Sequence, residues 1–486
     1  MSPDDRRPLA SRRRVVLIGL LAALVGVILV LTTGPERLFE FSPAKRAEFE
    51  GAAAAGLSHP LYIRAPGGAS ATARRVEALR WPIAVAADKA RVDPGLIEGM
   101  VFLESGGRPD AVVEGDPANA AGVSQILPET GRNLLRMRID LAASRRLTEQ
   151  IAVAKEQGQR ARVASLERRR RRVDERFDPS KALAATGRYL AFAQPKFGGD
   201  DFAVASYHMG VGNLADAIRA YVGPEEKRLA RTLVEEEDLS YAQLYFDSTP
   251  FVHRRAYRLL ARLGDDSATY LWRVLAAREI MRLYRKEPEE LRRLTALHTR
   301  YGSGEAVLRP PGSTAVFRDV TDLRRARSQR VLLPITDEPV RHHFALDPDL
   351  PARVRRRERD PALYTALRPE ALATLHYIAD RVHVLSRARQ PLLVAAAVRD
   401  REYEARLPKR DLAGPRNYSL YTTGFSFDIK RRYESQAQAM AFQAMLDRLE
   451  ALNVIAWHAR GDLIHITVGE RSKPLLPLLR GEELEG

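Results

Sequence analysis

A mostly helical region followed by a smaller α+β region, with one transmembrane helix ahead of both, is the multidomain organisation this 486-residue sequence predicts. Three observations carry it. An uncharged apolar run, VVLIGLLAALVGVILVL, fills residues 15–31 and is long enough to cross a bilayer. Apolar residues recur at three- and four-residue spacing through 81–90, 94–103, 180–193 and 202–207, where strand-like alternation is scarce. Beyond about residue 330, short runs at 331–333, 392–398, 425–429 and 463–468 read as strands between helical stretches at 369–384 and 435–452.

Arg6, Arg7, Arg12, Arg13 and Arg14 precede the apolar run, so the positive-inside tendency puts residues 1–14 in the cytoplasm as a basic tail. A cleaved signal peptide shares this layout, but Thr32, Thr33, Gly34, Pro35 and Glu36 follow Leu31 with no small-x-small site. The expectation is an uncleaved, single-pass anchor over 15–33 in the cytoplasmic membrane, with the catalytic part outside, in the periplasm or on the cell-wall side. Residues 34–79, mixed and rich in Ala, Gly and Pro, read as a stalk with little structure of its own. The helical domain then covers 80–300. Within it, 140–178 shifts to Arg, Glu, Gln and Ala, keeps helical spacing, breaks near Gly158 and carries five consecutive arginines from Arg168 to Arg172. That pattern is a charged helical hairpin with a solvated face, contact with an anionic polymer being the alternative. Gly and Pro mark a linker over 301–329, and the α+β domain follows over 330–479.

Basic residues outnumber acidic ones, 78 against 62, and the net +16 suits a polyanion. The arginines are scattered through the chain and are not interleaved with aromatics in one patch, which argues against nucleic acid as a partner. With no cysteine, disulfides and thiolate metal sites are excluded, so any metal must use His, Asp or Glu.

In DPGLIEGMVFLESGG, Asp93 can cap a helix that starts with Pro94 and ends at Gly106 or Gly107. Ile97, Met100, Val101 and Glu104 then share one face, which sets a carboxylate on the apolar side, where burial raises its pKa toward that of a useful proton donor. Position alone fits a capping or salt-bridged glutamate equally well. Two later segments add to it. AAGVSQILPETG offers Gly122 and Gln125 in a turn, and FAVASYHMGVGNL puts Tyr207 and His208 at a helix end before Gly210.

Glu104 and Ser105, then Gly122 to Gln125, then Ser206 to Gly210 occur in the order of the Glu-Ser, Gly-x-x-Gln and Ala-Tyr-Asn-Ala-Gly segments of the soluble lytic transglycosylase family. Over residues 85–222 the sequence resembles that family's catalytic domain, related in fold to goose-type lysozyme. His208 departs from the pattern, standing where the family usually has Asn, and the charged hairpin lengthens the connection between the second and third segments. The resemblance implies a peptidoglycan glycan strand as partner, no cofactor for cleavage, and a mechanism in which Glu104 is both acid and base and leaves a 1,6-anhydro product. It also implies that Ser105 and Tyr207 orient the glutamate or the N-acetyl group, with Gly122 and Gln125 holding the strand and His208 and Gly210 adjoining it. Asp110, Glu114 and Asp116 read as solvated turn acids; were one opposite Glu104, a hydrolysing muramidase would be the better reading. The amphipathic run 270–284 reads as core packing, with stacking of its aromatics on sugars as the alternative.

The string SLYTTGFSFD, with His465 in DLIHITV and Arg399 in VAAAVRDREYE, resembles the zinc D-alanyl-D-alanine peptidases. Tyr421 occupies the first histidine position, which leaves Asp428 and His465 as ligands unless Tyr421 or His458 substitutes, one short of the three such sites use. The expectation is a peptidase-like domain that holds peptide stems without cutting them, with zinc at most weakly held. A non-catalytic wall-binding scaffold is the reading from outside enzymology, and a zinc peptidase the third.

Overall fold

Asp93, Pro94 and Gly106 set the ends of the helix on which the candidate site is built. In the computed structural model, which describes residues 38–479 apart from 224, 265, 302, 337, 357–358 and 408–417, that helix spans Pro94–Ser105. The Asp93 carboxylate accepts from the Gly95 amide at 2.8 Å, and Gly106 takes a left-handed φ of 61°. Such a cap stabilises a helix by about 1 kcal/mol. Ile97, Met100 and Val101 are buried, as their spacing predicts, against the Tyr270–Lys286 helix. The two backbones nearly touch: a Cβ on Gly99 would lie 2.5 Å from the Val274 carbonyl oxygen.

The stalk expectation for 34–79 is corrected. This segment folds into helices at Arg46–Gly56, His59–Ile63 and Ala69–Glu77, with Phe49, Ala52, Ala53, Ala73 and Val76 buried. Alanines read as unstructured filler in the sequence, but their small side chains let helices approach closely. A Cβ on Gly56 would lie 2.5 Å from the Ala451 carbonyl oxygen, at the end of the Gln436–Ala451 helix. Phe49 meets Phe246 edge-on at 5.0 Å and Phe39 meets Tyr377 at 5.7 Å, so this N-terminal segment is wedged between the helical region and the C-terminal one.

The linker expectation for 301–329 is corrected as well, since Gly304–Leu308 and Val320–Ser328 are helical. Just after the first of these, the buried Arg309 donates to the Val468 carbonyl at 2.7 Å and stacks 3.4 Å over Phe425.

The strands are β1 (Leu333–Pro334), β2 (Phe344–Leu346), β3 (Ala366–Leu367), β4 (Leu392–Ala396), β5 (Ser426–Lys430), β6 (Ile455–Arg460) and β7 (Leu463–Val468). β1 and β3 form a small antiparallel pair, and the others a five-stranded sheet in the order β2-β4-β5-β7-β6. Only β2 and β4 run parallel. Sequence patterning missed β3 and the two edge strands of the five-stranded sheet, β2 and β6. The helices Pro369–Ser386 and Gln436–Ala451 pack on this sheet.

The expected fold class, a lysozyme-like domain and a separate peptidase-like domain behind a membrane helix, is corrected by these findings. The chain is 64% helical, with its sheet confined to the C-terminal part, and one buried apolar cluster runs from Phe39 to Leu479. Among the described residues no helix is long and apolar enough to cross a membrane. The expected anchor at 15–33 and the basic tail at 1–14 lie outside the described residues.

Candidate active site

Glu104 sits on the last turn of its helix, and its side chain keeps an opening to solvent. Tyr270, at the start of the Tyr270–Lys286 helix and 2% exposed, donates its hydroxyl to Glu104 Oε1 at 2.6 Å. Burial of the carboxyl raises its pKa; the Tyr270 hydrogen bond and the Arg273 charge oppose this only in part, and the result is about 7. The Tyr270 hydroxyl, itself buried beside that carboxyl, is pushed well above 10 and stays a donor.

Aromatic rings wall the carboxyl on one side. Tyr207 and His208 both stack on Tyr270, with ring centroids at 6.4 Å and 5.1 Å. Tyr207 donates to the Ser124 carbonyl at 2.7 Å and is met edge-on by Tyr189 at 5.0 Å. His208 is exposed, with Nδ1 2.7 Å from Ser267 Oγ. Gly210, at φ 86° and ψ 141°, separates the Asp200–Met209 helix from Val211–Val222 and lets the chain turn directly behind these rings.

The turn expected to hold the glycan lies beside the same helix. Ser105 Oγ donates to the Val123 carbonyl at 2.9 Å, so this hydroxyl ties the Glu104 helix to the turn and does not bond the glutamate, the first of the two roles expected for it. Gln125, at a left-handed φ of 47°, donates from Nε2 to the carbonyls of Gly122 at 2.8 Å and Ala111 at 3.4 Å. Its amide N–H groups therefore brace the turn from within. Gly122 is required there: at φ 79° a Cβ would fall 1.9 Å from the Arg176 carbonyl oxygen.

Arg176 fixes this turn from the end of the charged insertion. Fully buried, it pairs with Asp174 at 2.7 Å and donates to the carbonyls of Pro117, Asn119 and Ile126 at 2.7, 3.0 and 3.1 Å. The insertion is the expected hairpin, Leu141–Glu156 and Arg160–Val173, turning at Gly158 with φ 67°. It also occupies the acids considered as partners for Glu104. Lys155 pairs with Asp110 at 3.1 Å and Arg145 grips Asp116 through two bonds of 2.8 and 2.9 Å, while Glu114 is exposed.

Sequence reasoning missed Tyr270, Arg273 and Arg75. Tyr270 and Arg273 lie on the stretch read as core packing, a role Trp272 and Val274 do fill at 0% exposure. Arg75, on the segment read as a stalk, donates to the Gly106 carbonyl and to the Pro66 carbonyl, both at 2.7 Å, and so holds the end of the Glu104 helix.

In the C-terminal region Asp428 on β5 faces His465 on β7. They are joined at 2.8 Å through His465 Nδ1, and Tyr421 donates to both Asp428 oxygens at 2.6 and 2.7 Å. His465 Nε2 lies 3.4 Å from Glu305 Oε1, and His458 Nδ1 3.2 Å from Glu305 Oε2. Burial acts to raise the Asp428 pKa, but the His465 hydrogen bond and charge, Arg399 and Tyr421 outweigh it and bring the carboxyl below its ordinary value. These residues do not fit a zinc tripod. The two expected ligands, Asp428 and His465, bond each other, the buried Tyr421 hydroxyl is pushed well above 10, and among the described residues no group of three or more His, Asp or Glu is placed to hold a metal ion. Arg399 stacks 3.9 Å over Tyr421 and pairs with Glu404 at 2.9 Å, at the edge of a cavity of about 310 Å³.

Comparison of the chain with protein-family models, with curated proteins and with solved structures finds no match.

Proposed function

We propose that this protein is a lytic transglycosylase that cleaves the β-1,4 bond between N-acetylmuramic acid and N-acetylglucosamine in peptidoglycan, with Glu104 as its only acid and base. The observation that carries the reading is a carboxyl whose pKa of about 7 keeps it substantially protonated at neutral pH, with Tyr270 and Arg273 as the groups acting on it. Asp110 and Asp116, which could have made a two-carboxylate hydrolase, are held by Lys155 and Arg145.

The chemistry then balances on one proton. Protonated Glu104 gives its proton to the glycosidic oxygen as the bond from that oxygen to the muramoyl C1 breaks. The carboxylate left behind takes the proton of the muramoyl C6 hydroxyl while its oxygen bonds to C1, closing the 1,6-anhydro ring and restoring the acid. Tyr270 holds the carboxyl in place in both states as a hydrogen-bond donor. No water enters the products.

Digestion of purified sacculi, with products read by mass spectrometry, tests this. The expected product is a muramoyl end lighter by one water than a reducing end, absent with Glu104→Gln. A reducing end would make the enzyme a hydrolysing muramidase. No release by the native protein would leave a non-catalytic wall-binding protein.

A further inference from the structure

The charged hairpin does more than brace the turn. Along the Arg160–Val173 helix, Leu166 packs inward on Leu147, Ile151 and Ala154, and Arg170 donates to Thr148 Oγ1 at 3.0 Å while covering Phe177 at 3.7 Å. At 3.6 residues per turn, Arg168, Arg171 and Arg172 fall 120° or more from Leu166 and Arg169 lies on its flank, and all four are exposed. None of the four forms an ion pair among the described residues. The carboxylates within reach are already engaged, Glu167 with Lys155, Glu175 with Lys181 and Asp174 with Arg176. Like charges three and four positions apart on a helix repel, so Arg168 opposes both Arg171 and Arg172 until an external anion sits between them.

The place of this face indicates which anion. Lys155 and Arg145, on the Leu141–Glu156 helix of the hairpin, pair with Asp110 and Asp116, in the loop that leads from Glu104 to Gly122 and Gln125. The hairpin is therefore tied to the loop that follows the Glu104 helix. On the Arg160–Val173 helix no large apolar side chain is exposed, whereas a surface that inserts into lipid head groups needs apolar residues beside its cations.

We infer that the four outward arginines form an exosite for the carboxylates of the peptidoglycan strand, gripping its stem peptides outside the cleft while Glu104 works on the glycan. This rests on the proposed function for its substrate. Binding is read on a Glu104→Gln background, which needs no cutting, so failure of the exosite and failure of the catalytic reading show up in different measurements.

The experiment compares the full chain carrying Glu104→Gln with the same chain also carrying Arg168→Gln, Arg169→Gln, Arg171→Gln and Arg172→Gln. Glutamine keeps helix propensity close to that of arginine, and an unchanged melting temperature confirms the fold. The expected result is about tenfold weaker sacculus binding for the quadruple variant and a much shallower salt dependence, because exposed charges are screened over about 10 Å at 0.1 M salt. Sacculi whose carboxylates have been amidated should bind the parent chain as weakly as native sacculi bind the variant. With Glu104 restored, KM should rise about tenfold and kcat stay within a factor of two. Unchanged sacculus binding, or equal binding of the parent chain to amidated and native sacculi, overturns the inference. So does a loss confined to vesicles of anionic phospholipid, which would assign the face to a membrane.

Discussion

Glu104 is partly and Asp428 almost wholly buried, and the proton affinities of these two carboxylates move in opposite directions. Glu104 meets a neutral donor, Tyr270, with Arg273 as its cation, and burial prevails. Asp428, only 3% exposed, is buried at least as deeply, yet His465, Arg399 and Tyr421 together outweigh that burial and hold it ionised. Burial alone thus does not make a proton donor. The difference lies in how many charged or donating groups reach the oxygens.

The largest separation expected is in activity. Glu104→Gln should lower glycan release at least ~100-fold, the usual contribution of a positioned acid, whereas Asp428→Asn should leave it within a factor of about two. Dye release from labelled sacculi measures both.

Stability should separate the pair by sign. A Glu104 pKa near 7, above the unfolded 4.5, means that the folded state holds more proton than the unfolded one between those values, so ionisation on raising the pH through that window weakens the fold. Glu104→Gln should therefore stabilise the protein at pH 8 relative to pH 4.5, by on the order of 3 kcal/mol. Asp428 behaves inversely, since its depressed pKa stabilises the fold above the unfolded value and that stability is lost as the pH falls through the folded one. Asp428→Asn should destabilise the protein by about 2 kcal/mol at pH 7 and by less below pH 3. Urea unfolding of the four protein and pH combinations reads both effects.

Tyr270→Phe sharpens the contrast by removing the hydrogen bond that Glu104 accepts from Tyr270. The alkaline limb of the pH–rate profile should move up by roughly one pH unit, and kcat should fall about tenfold from lost positioning. The smallest effect should come from Arg75→Gln, which removes the bonds to the Gly106 and Pro66 carbonyls. A loss of about 1–2 kcal/mol in stability is expected, with cleavage slowed severalfold and the Asp428 cluster undisturbed in its His465 side-chain NMR signals.

Local signals were legible in the sequence and distant ones were not. The Asp93 cap, Pro94 and Gly106 bounded the Glu104 helix, and Gly158 and the 3.6-residue period placed the hairpin, because all of these act within a few residues. Tyr270 reaches Glu104 across 166 positions, and a single amphipathic stretch gives no sign of which of its aromatics faces a carboxyl. Arg75 stayed hidden because the alanine-rich segment around it carries little apolar bulk and folds by close approach to other helices. The edge strands β2 and β6 are short or partly exposed, as at His458 and Ala459, and lack the apolar runs that disclosed β4, β5 and β7.

The most direct test is the pH dependence of kcat/KM for sacculus solubilisation from pH 4 to pH 9. A lone carboxyl acting as acid and base predicts one ionisation limb, with activity level in acid and falling through a midpoint near 7. A midpoint near the ordinary glutamate value of 4.5, or a bell with a second limb in acid, would contradict it, the latter by revealing another carboxylate at work.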